Sequence, residues 1–167
     1  MSTVHDRLQL LKKISFKRTV NALTVLLSYY YSKSIGKPKQ MGFPLAIAIE
    51  PTTACNLGCP ECPSGLKKFT RSIGNLKEDF FRKVIDEVYS YTFYLTFYFQ
   101  GEPYINPHFL KMVKYASSKN IYTATSTNAH FLNEENAEST VKSGLDRLII
   151  SIDGTSQETY ENYRIGG

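Results

Sequence analysis

The spacing of apolar positions changes at about residue 44. Before it, Val20, Leu23, Leu27 and Tyr30 recur at helical spacing, and Gly36 with Pro38 supplies a stop, which predicts one amphipathic helix and a short linker to Pro44. After it, short apolar runs alternate with helical stretches. Residues 45–50 predict a buried strand, and Asn75 with Glu78 has the form of a capping box for a helix to about Tyr89. Residues 94–100 predict a second strand, aromatic and expected to be buried on both faces. Asn106 caps the next helix with Pro107 at its first position, residues 122–127 predict a third strand, and Asn133 opens a helix ending near Gly144. Residues 147–152 predict a fourth strand, followed by a second capping box at Thr155 and Glu158.

Four strands alternating with helices imply an α/β fold, with a parallel sheet covered by helices and crossovers of one hand. In such folds ligands gather at the carboxyl ends of the strands. All four predicted ends are polar or carry metal-binding residue types: Cys55, Cys59 and Cys62 after the first, Gln100-Gly101-Glu102-Pro103 after the second, Ser126-Thr127-Asn128-Ala129 after the third, and Ser151-Ile152-Asp153-Gly154 after the fourth.

Composition changes this picture little, except in charge. The chain of 167 residues is 42% hydrophobic and 21% charged, as in an ordinary globular domain. Residues 1–40 carry eight Lys and Arg against the single acid Asp6, a net charge of +7, while the remainder is −2. A basic arm could meet nucleic acid or an anionic membrane. A solvated helix face is the expected explanation, and no nucleic-acid partner is expected. The apolar stretch 20–31 is interrupted by Asn21, Thr24 and Ser28, is shorter than the roughly 20 residues of a membrane span, and follows no secretory signal pattern. A cytoplasmic protein without a transmembrane segment is expected.

Three cysteines within eight positions do not make a disulfide framework, and in a reducing compartment they point to metal. A zinc site would need a fourth ligand, for which only His108 and His130 follow in the chain. That would make the chain a zinc-binding interaction module. A four-iron cluster normally takes four thiolates, one per iron, so three would leave one iron open.

The Cys55-x3-Cys59-x2-Cys62 pattern after the first strand resembles the signature of the radical S-adenosylmethionine (radical SAM) superfamily. The resemblance extends over about residues 44–167. Gln100-Gly101-Glu102-Pro103 is similar to the family's Gly-Gly-Glu-Pro loop, with Gln100 in place of the first Gly, and Thr127-Asn128-Ala129 to its Thr-Asn-Gly. Ser151 and Asp153 resemble its Ser-x-Asp-Gly strand end, and Glu61 stands where many members carry an aromatic residue. Glu50-Pro51-Thr52-Thr53 and Pro63-Ser64-Gly65-Leu66 are similar to members with a C-terminal SPASM domain, which often modify peptides or proteins.

The resemblance implies that Cys55, Cys59 and Cys62 hold a [4Fe-4S] cluster whose open iron takes S-adenosylmethionine. It further implies that Gly101, Glu102, Pro103, Asn128, Ser151 and Asp153 bind that cofactor. The implied activity is reductive cleavage of S-adenosylmethionine to a 5′-deoxyadenosyl radical that takes hydrogen from a substrate, here a peptide or protein. The implied partner is a reductant protein such as a flavodoxin or ferredoxin. The superfamily builds a partial barrel of six βα units, and four strands are found here. The expectation is therefore a basic helical extension over 1–43 and, over 44–167, the N-terminal part of a partial (βα) barrel, incomplete after about four units. Its fourth strand would be an edge with Leu148 and Ile150 poorly covered. An inactive fragment is the alternative.

Overall fold

The computed structural model describes residues 4–166; residues 1–3 of the expected extension and Gly167 lie outside them. Four parallel strands form one sheet in the order β1 (Ala46–Ala48), β2 (Tyr94–Thr96), β3 (Tyr122–Thr127), β4 (Arg147–Ile150). Each neighbour in the sheet is also the next strand in the chain, and a helix makes each crossover: α3 (Glu78–Val88), α4 (Phe109–Ser118) and α5 (Glu134–Lys142). Helices α1 (Val4–Lys12) and α2 (Phe16–Ile35) precede the sheet, and the short α6 (Gln157–Glu161) follows it. The expected α/β architecture is present.

Leu95 and Phe97 of the second strand segment turn to α3 and α4, where they meet Phe81, Ile85, Phe109, Met112 and Val113 in one buried cluster. On the opposite face Tyr94 and Tyr122 stack with ring centroids 4.9 Å apart. That face is lined by small and polar residues, and Tyr94 and Thr96 are only half-buried. Phe99 is exposed. The strand ends at Thr96 and is buried on one face only, not on both as expected for residues 94–100. β4 has one strand neighbour, and Leu148 and Ile150 remain exposed, as an incompletely covered edge implies.

Several helix starts differ from the sequence pattern. Asn75 does not cap α3; it pairs with Thr52 in an isolated antiparallel bridge, and Lys77 takes the cap position without a side-chain bond. Asn106 is not the cap of α4, which begins two residues after Pro107. Its amide donates instead to the carbonyls of Pro51 (2.7 Å) and Leu76 (3.0 Å), tying two loops together. The last capping box falls on Ser156 and Thr159, one residue beyond the expected pair. Asn133 caps α5 as expected, accepting from the Asn136 N–H at 2.8 Å. In each displaced case a tertiary bond or a neighbouring hydroxyl competes for the same backbone groups.

The N-terminal segment departs furthest. α1 is not foreseen by the spacing, and α2 starts at Phe16, after its Ser15 cap and four residues before Val20. The basic residues are not all solvated. Arg18 is 3% exposed and donates to the carbonyls of Lys13, Tyr89, Lys119 and Asn120, and Lys13 pairs with Asp146 at 3.3 Å. Tyr89 precedes β2 and Asn120 precedes β3, so α2 is fastened beneath the amino ends of the strands. Asp6 of α1 accepts from the Tyr122 hydroxyl and pairs with Arg147 at 3.7 Å, closing the same end of the inner face.

Candidate functional site

At the other end of the sheet, the long connection from β1 to α3 carries the cysteines. It is braced at its base by the Thr52–Asn75 bridge and by the Leu76 N–H to Pro51 carbonyl bond of 2.9 Å. Within it the chain turns tightly, with the Cys62 N–H donating to the Cys59 carbonyl (3.2 Å) and the Leu66 N–H to the Cys62 carbonyl (2.9 Å). Gly65 crosses directly over Cys59: a Cβ there would stand 2.5 Å from both its nitrogen and its oxygen, closer than real atoms approach. Leu57 and Cys59 are each 3% exposed and anchor the loop, while Cys55 and Cys62 are half-buried. All three thiols are free and line one cleft. Burial pushes the Cys55 thiol above its ordinary pKa, only partly offset by a bond from the Leu57 backbone.

The turn after β2 is sewn to this loop. Gly101 has φ of +76°, and a Cβ on it would lie 2.3 Å from the Thr52 carbonyl oxygen, so only glycine fits. The Gly101 N–H donates to Ser64 Oγ (3.0 Å), and the Glu102 N–H to the Ala54 carbonyl (2.8 Å). Gln100 reaches into the cleft, its Oε1 accepting from Ser64 Oγ (3.2 Å) and from Cys62 Sγ (3.5 Å).

Glu102 is 2% exposed, and its carboxylate joins the second strand end to the third. One oxygen accepts from Thr127 Oγ1 (2.7 Å) and the Tyr104 N–H (3.3 Å), the other from the Asn128 N–H (2.9 Å). Asn128 in turn donates through its amide to Asn56 Oδ1 at 2.8 Å, beside Cys55. Ala129 has φ of +69°, the left-handed region in which glycine is favoured. At the fourth strand end Ser151 Oγ lies 3.0 Å from Ser126 Oγ.

Cys55, Cys59, Cys62, Gly101, Glu102, Asn128 and Ser151 thus border one cleft at the carboxyl ends of the strands. Pro103 and Asp153 do not border it. Pro103 is buried as the first residue of a 3-10 turn, and Asp153 is exposed and paired with Arg164. Arg164 itself borders the cleft, with Nη1 donating to Cys59 Sγ at 3.7 Å. Nothing in the local sequence marks Arg164, because its position depends on how the segment after α6 folds back. The Gly58 N–H to Ile165 carbonyl bond (2.8 Å) holds that segment against the cysteine loop.

Neither of the two histidines that could supply the zinc alternative's fourth ligand borders the cleft. His108 lies 3.5 Å from Glu78, and the His130 ring lies between Asn56 (3.1 Å) and the Tyr160 hydroxyl (2.9 Å). Among the described residues no three His, Cys, Asp or Glu side chains converge to hold a single ion. A zinc ion draws its thiolates to about 2.3 Å from one point, whereas an iron-sulfur cluster gives each thiolate its own iron. Three free thiols spread along one loop fit the second arrangement.

Comparison with known proteins agrees with this geometry. Residues 49–167 match the family model of the Radical SAM superfamily. The AdoMet-dependent heme synthase of Methanosarcina barkeri is 33% identical over 121 residues, which is 72% of this chain and 34% of that protein. The PqqA peptide cyclase of Bradyrhizobium diazoefficiens is 31% identical over 116 residues, 70% of this chain and 30% of that one. Streptococcus suis SuiB, solved with bound S-adenosylmethionine, has the same fold with a TM-score of 0.62 at 18% identity, over 82% of this chain and 31% of its own. The chain spans about a third of the length of the curated relatives it matches. Four parallel strands, a three-thiol loop after the first of them and this family match together place the chain in the radical SAM superfamily.

Proposed function

We propose that this chain is the cluster-holding part of an enzyme that reductively cleaves S-adenosylmethionine and takes a hydrogen atom from a peptide or protein. One observation carries the reading: Cys55, Cys59 and Cys62 border a single cleft that the Gly101 turn also lines. The three thiolates would hold three irons of a [4Fe-4S] cluster and leave the fourth to the amino and carboxylate groups of S-adenosylmethionine. When bound, the cluster supplies an electron that breaks the cofactor's sulfonium bond, yielding methionine and the 5′-deoxyadenosyl radical.

The chain's own residues position and shield. Gly101 lets the turn after β2 pack on the Thr52 and Ala54 carbonyls, so that the turn lines the cleft beside the thiols and can meet the cofactor's amino group, with Pro103 fixing the turn beneath it. Glu102 holds the loops after β2 and β3 at one separation, which sets Asn128 at the cleft that Ser151, bonded to Ser126, also borders. Arg164 donates to Cys59 Sγ and so lies against one of the three thiols. Asp153 holds the Arg164 guanidinium at the rim.

A peptide or protein substrate is supported by two similar proteins, the PqqA peptide cyclase and SuiB, the latter also solved with its precursor peptide SuiA. A flavodoxin or ferredoxin as reductant, and a cytoplasmic setting, belong to the same reading. Among the described residues no helix is long and apolar enough to cross a membrane. We assign residues 1–43 to a helical extension and 44–167 to the start of the radical SAM core.

The test is anaerobic reconstitution with iron and sulfide, followed by metal analysis and electron paramagnetic resonance of the reduced protein. About four irons and four sulfides per chain are expected, lost on replacing any one of the three cysteines by Ala, with a spectrum that changes when S-adenosylmethionine is added. One zinc and no sulfide, or full iron retention in all three variants, would overturn the reading.

A further inference from the structure

Helix α2 is folded with its polar side inward. Arg18, Asn21 and Ser28 are its buried residues, and each is bonded to the body of the protein or to the chain that follows the helix. Asn21 donates to the Phe43 carbonyl (3.0 Å) and accepts from its N–H (2.8 Å), and Ser28 Oγ accepts from the Met41 N–H (3.0 Å). The opposite side carries Phe16, Val20, Leu23, Leu27 and Tyr30, alternately four and three residues apart, which aligns them in one stripe down the helix. All five are exposed, Phe16 by 87% and Leu27 by 64%. An ordinary surface helix turns such a stripe to the core. A contiguous apolar face left outside marks an interaction surface.

The charge around the stripe states what kind. Lys33 and Lys17 lie about 100° to either side of it by helical spacing, the Lys17 ammonium 4.7 Å from the Tyr91 ring centroid, and Lys12, Lys37 and Lys39 follow at the two ends, all exposed. Asp6, the one acid among residues 1–40, is turned to Tyr122 and Arg147. An apolar stripe with cations on both flanks and both ends complements a surface that is apolar below and uniformly anionic above. Phe, Leu and Tyr enter the acyl boundary of such a surface while Lys reaches the phosphates. A second copy would bring the exposed Lys12, Lys33, Lys37 and Lys39 against the same cations, with no acid on this helix to pair across the seam.

We propose that α2 docks this protein flat on an anionic phospholipid membrane, with the stripe from Phe16 to Tyr30 inserted and the flanking lysines on the headgroups. The helix does not cross the bilayer: it is not apolar enough, and Arg18 binds it to the Tyr89 and Asn120 carbonyls of the body. Arg18 grips the amino ends of the strands, so docking leaves the cysteine cleft, at their carboxyl ends, facing away from the lipid. This inference is independent of the chemistry proposed for that cleft.

The test is co-sedimentation of the purified chain with vesicles of phosphatidylcholine alone and of phosphatidylcholine mixed with phosphatidylglycerol. Binding to the mixed vesicles, weakened by salt and much weaker on neutral ones, is expected. Leu23→Glu with Leu27→Glu should reduce it about tenfold or more, since both side chains lose their insertion. Thermal unfolding should be unchanged, because neither side chain is buried in the fold. Lys33→Glu with Lys37→Glu and Lys39→Glu should abolish the preference for anionic lipid. No binding to either vesicle, undiminished binding by the Leu23→Glu/Leu27→Glu variant, or a vesicle-independent dimer that this variant dissolves would each overturn the proposal. Capture of an acidic protein by the same face without lipid binding would overturn it as well.

Discussion

Cys62 Sγ lies 3.5 Å from Gln100 Oε1, so the residue that replaces the first glycine of the family's loop touches one of the three clustered thiols. A metal-bound thiolate only accepts, and the amide then presents its Nε2 to the sulfur instead. A donor to a cluster sulfur stabilises the added electron. Gln100→Gly is therefore expected to lower the midpoint potential of the reconstituted cluster by tens of millivolts, about 59 mV corresponding to a tenfold change for one electron. Redox titration followed by electron paramagnetic resonance measures this, and an equal potential in the variant would mean that the side chain leaves the sulfur on loading.

Glu102 is a buried carboxylate whose two oxygens both accept from the protein. Glu102→Ala strands the Thr127 hydroxyl and two backbone N–H groups, at about 1–3 kcal/mol for each donor left buried. A loss of roughly 3 kcal/mol or more in denaturant unfolding is expected, together with poor iron retention. A variant as stable as the parent would show that this carboxylate does not hold the two strand ends together.

Ala129 has φ of +69°, which costs a residue with a Cβ about 1–2 kcal/mol. Ala129→Gly removes that cost but gains about 0.4–1 kcal/mol of freedom in the unfolded chain. A net stabilisation of roughly 0.5–1 kcal/mol is expected in urea unfolding of the apo-protein. A destabilised variant would mean that the turn is held by contacts of the methyl group.

Burial raises the Cys55 pKa, so the folded apo-protein keeps a proton that the unfolded chain releases near its ordinary value of about 8.5. The stability this contributes is present below that pH and is lost as pH rises toward the folded value. Apo-protein stability should therefore fall as pH rises past the ordinary thiol value of about 8.5, and Cys55→Ser, which does not titrate there, should flatten the slope. An identical pH profile in the variant would assign the slope to other groups.

Strand positions and the cysteine loop were legible because both are local. Thr and Tyr at β-spacing define β3 over Tyr122–Thr127, the range expected from its pattern, and three thiols within eight positions need no tertiary information to suggest metal. Helix caps were less legible. Asn75 and Asn106 have cap chemistry, yet both are taken by contacts with residues 23 to 55 positions away, and a pattern of neighbours carries no sign of that competition. Arg164 was invisible for the same reason, since its approach to Cys59 spans 105 residues.

The sequence alone determined the α/β alternation, the strand ends that carry the chemistry, and the resemblance of their motifs to one superfamily. These follow from periodicity and from spacing within one loop. Only the tertiary structure decided which side of α2 is buried. Its apolar stripe predicts the buried face, but the body offers the carbonyls of Tyr89, Lys119 and Asn120 rather than an apolar groove. A buried carbonyl without a donor costs about 1–3 kcal/mol, and Arg18 satisfies several at once. The helix therefore turned its polar side in and left Leu23 and Leu27 outside.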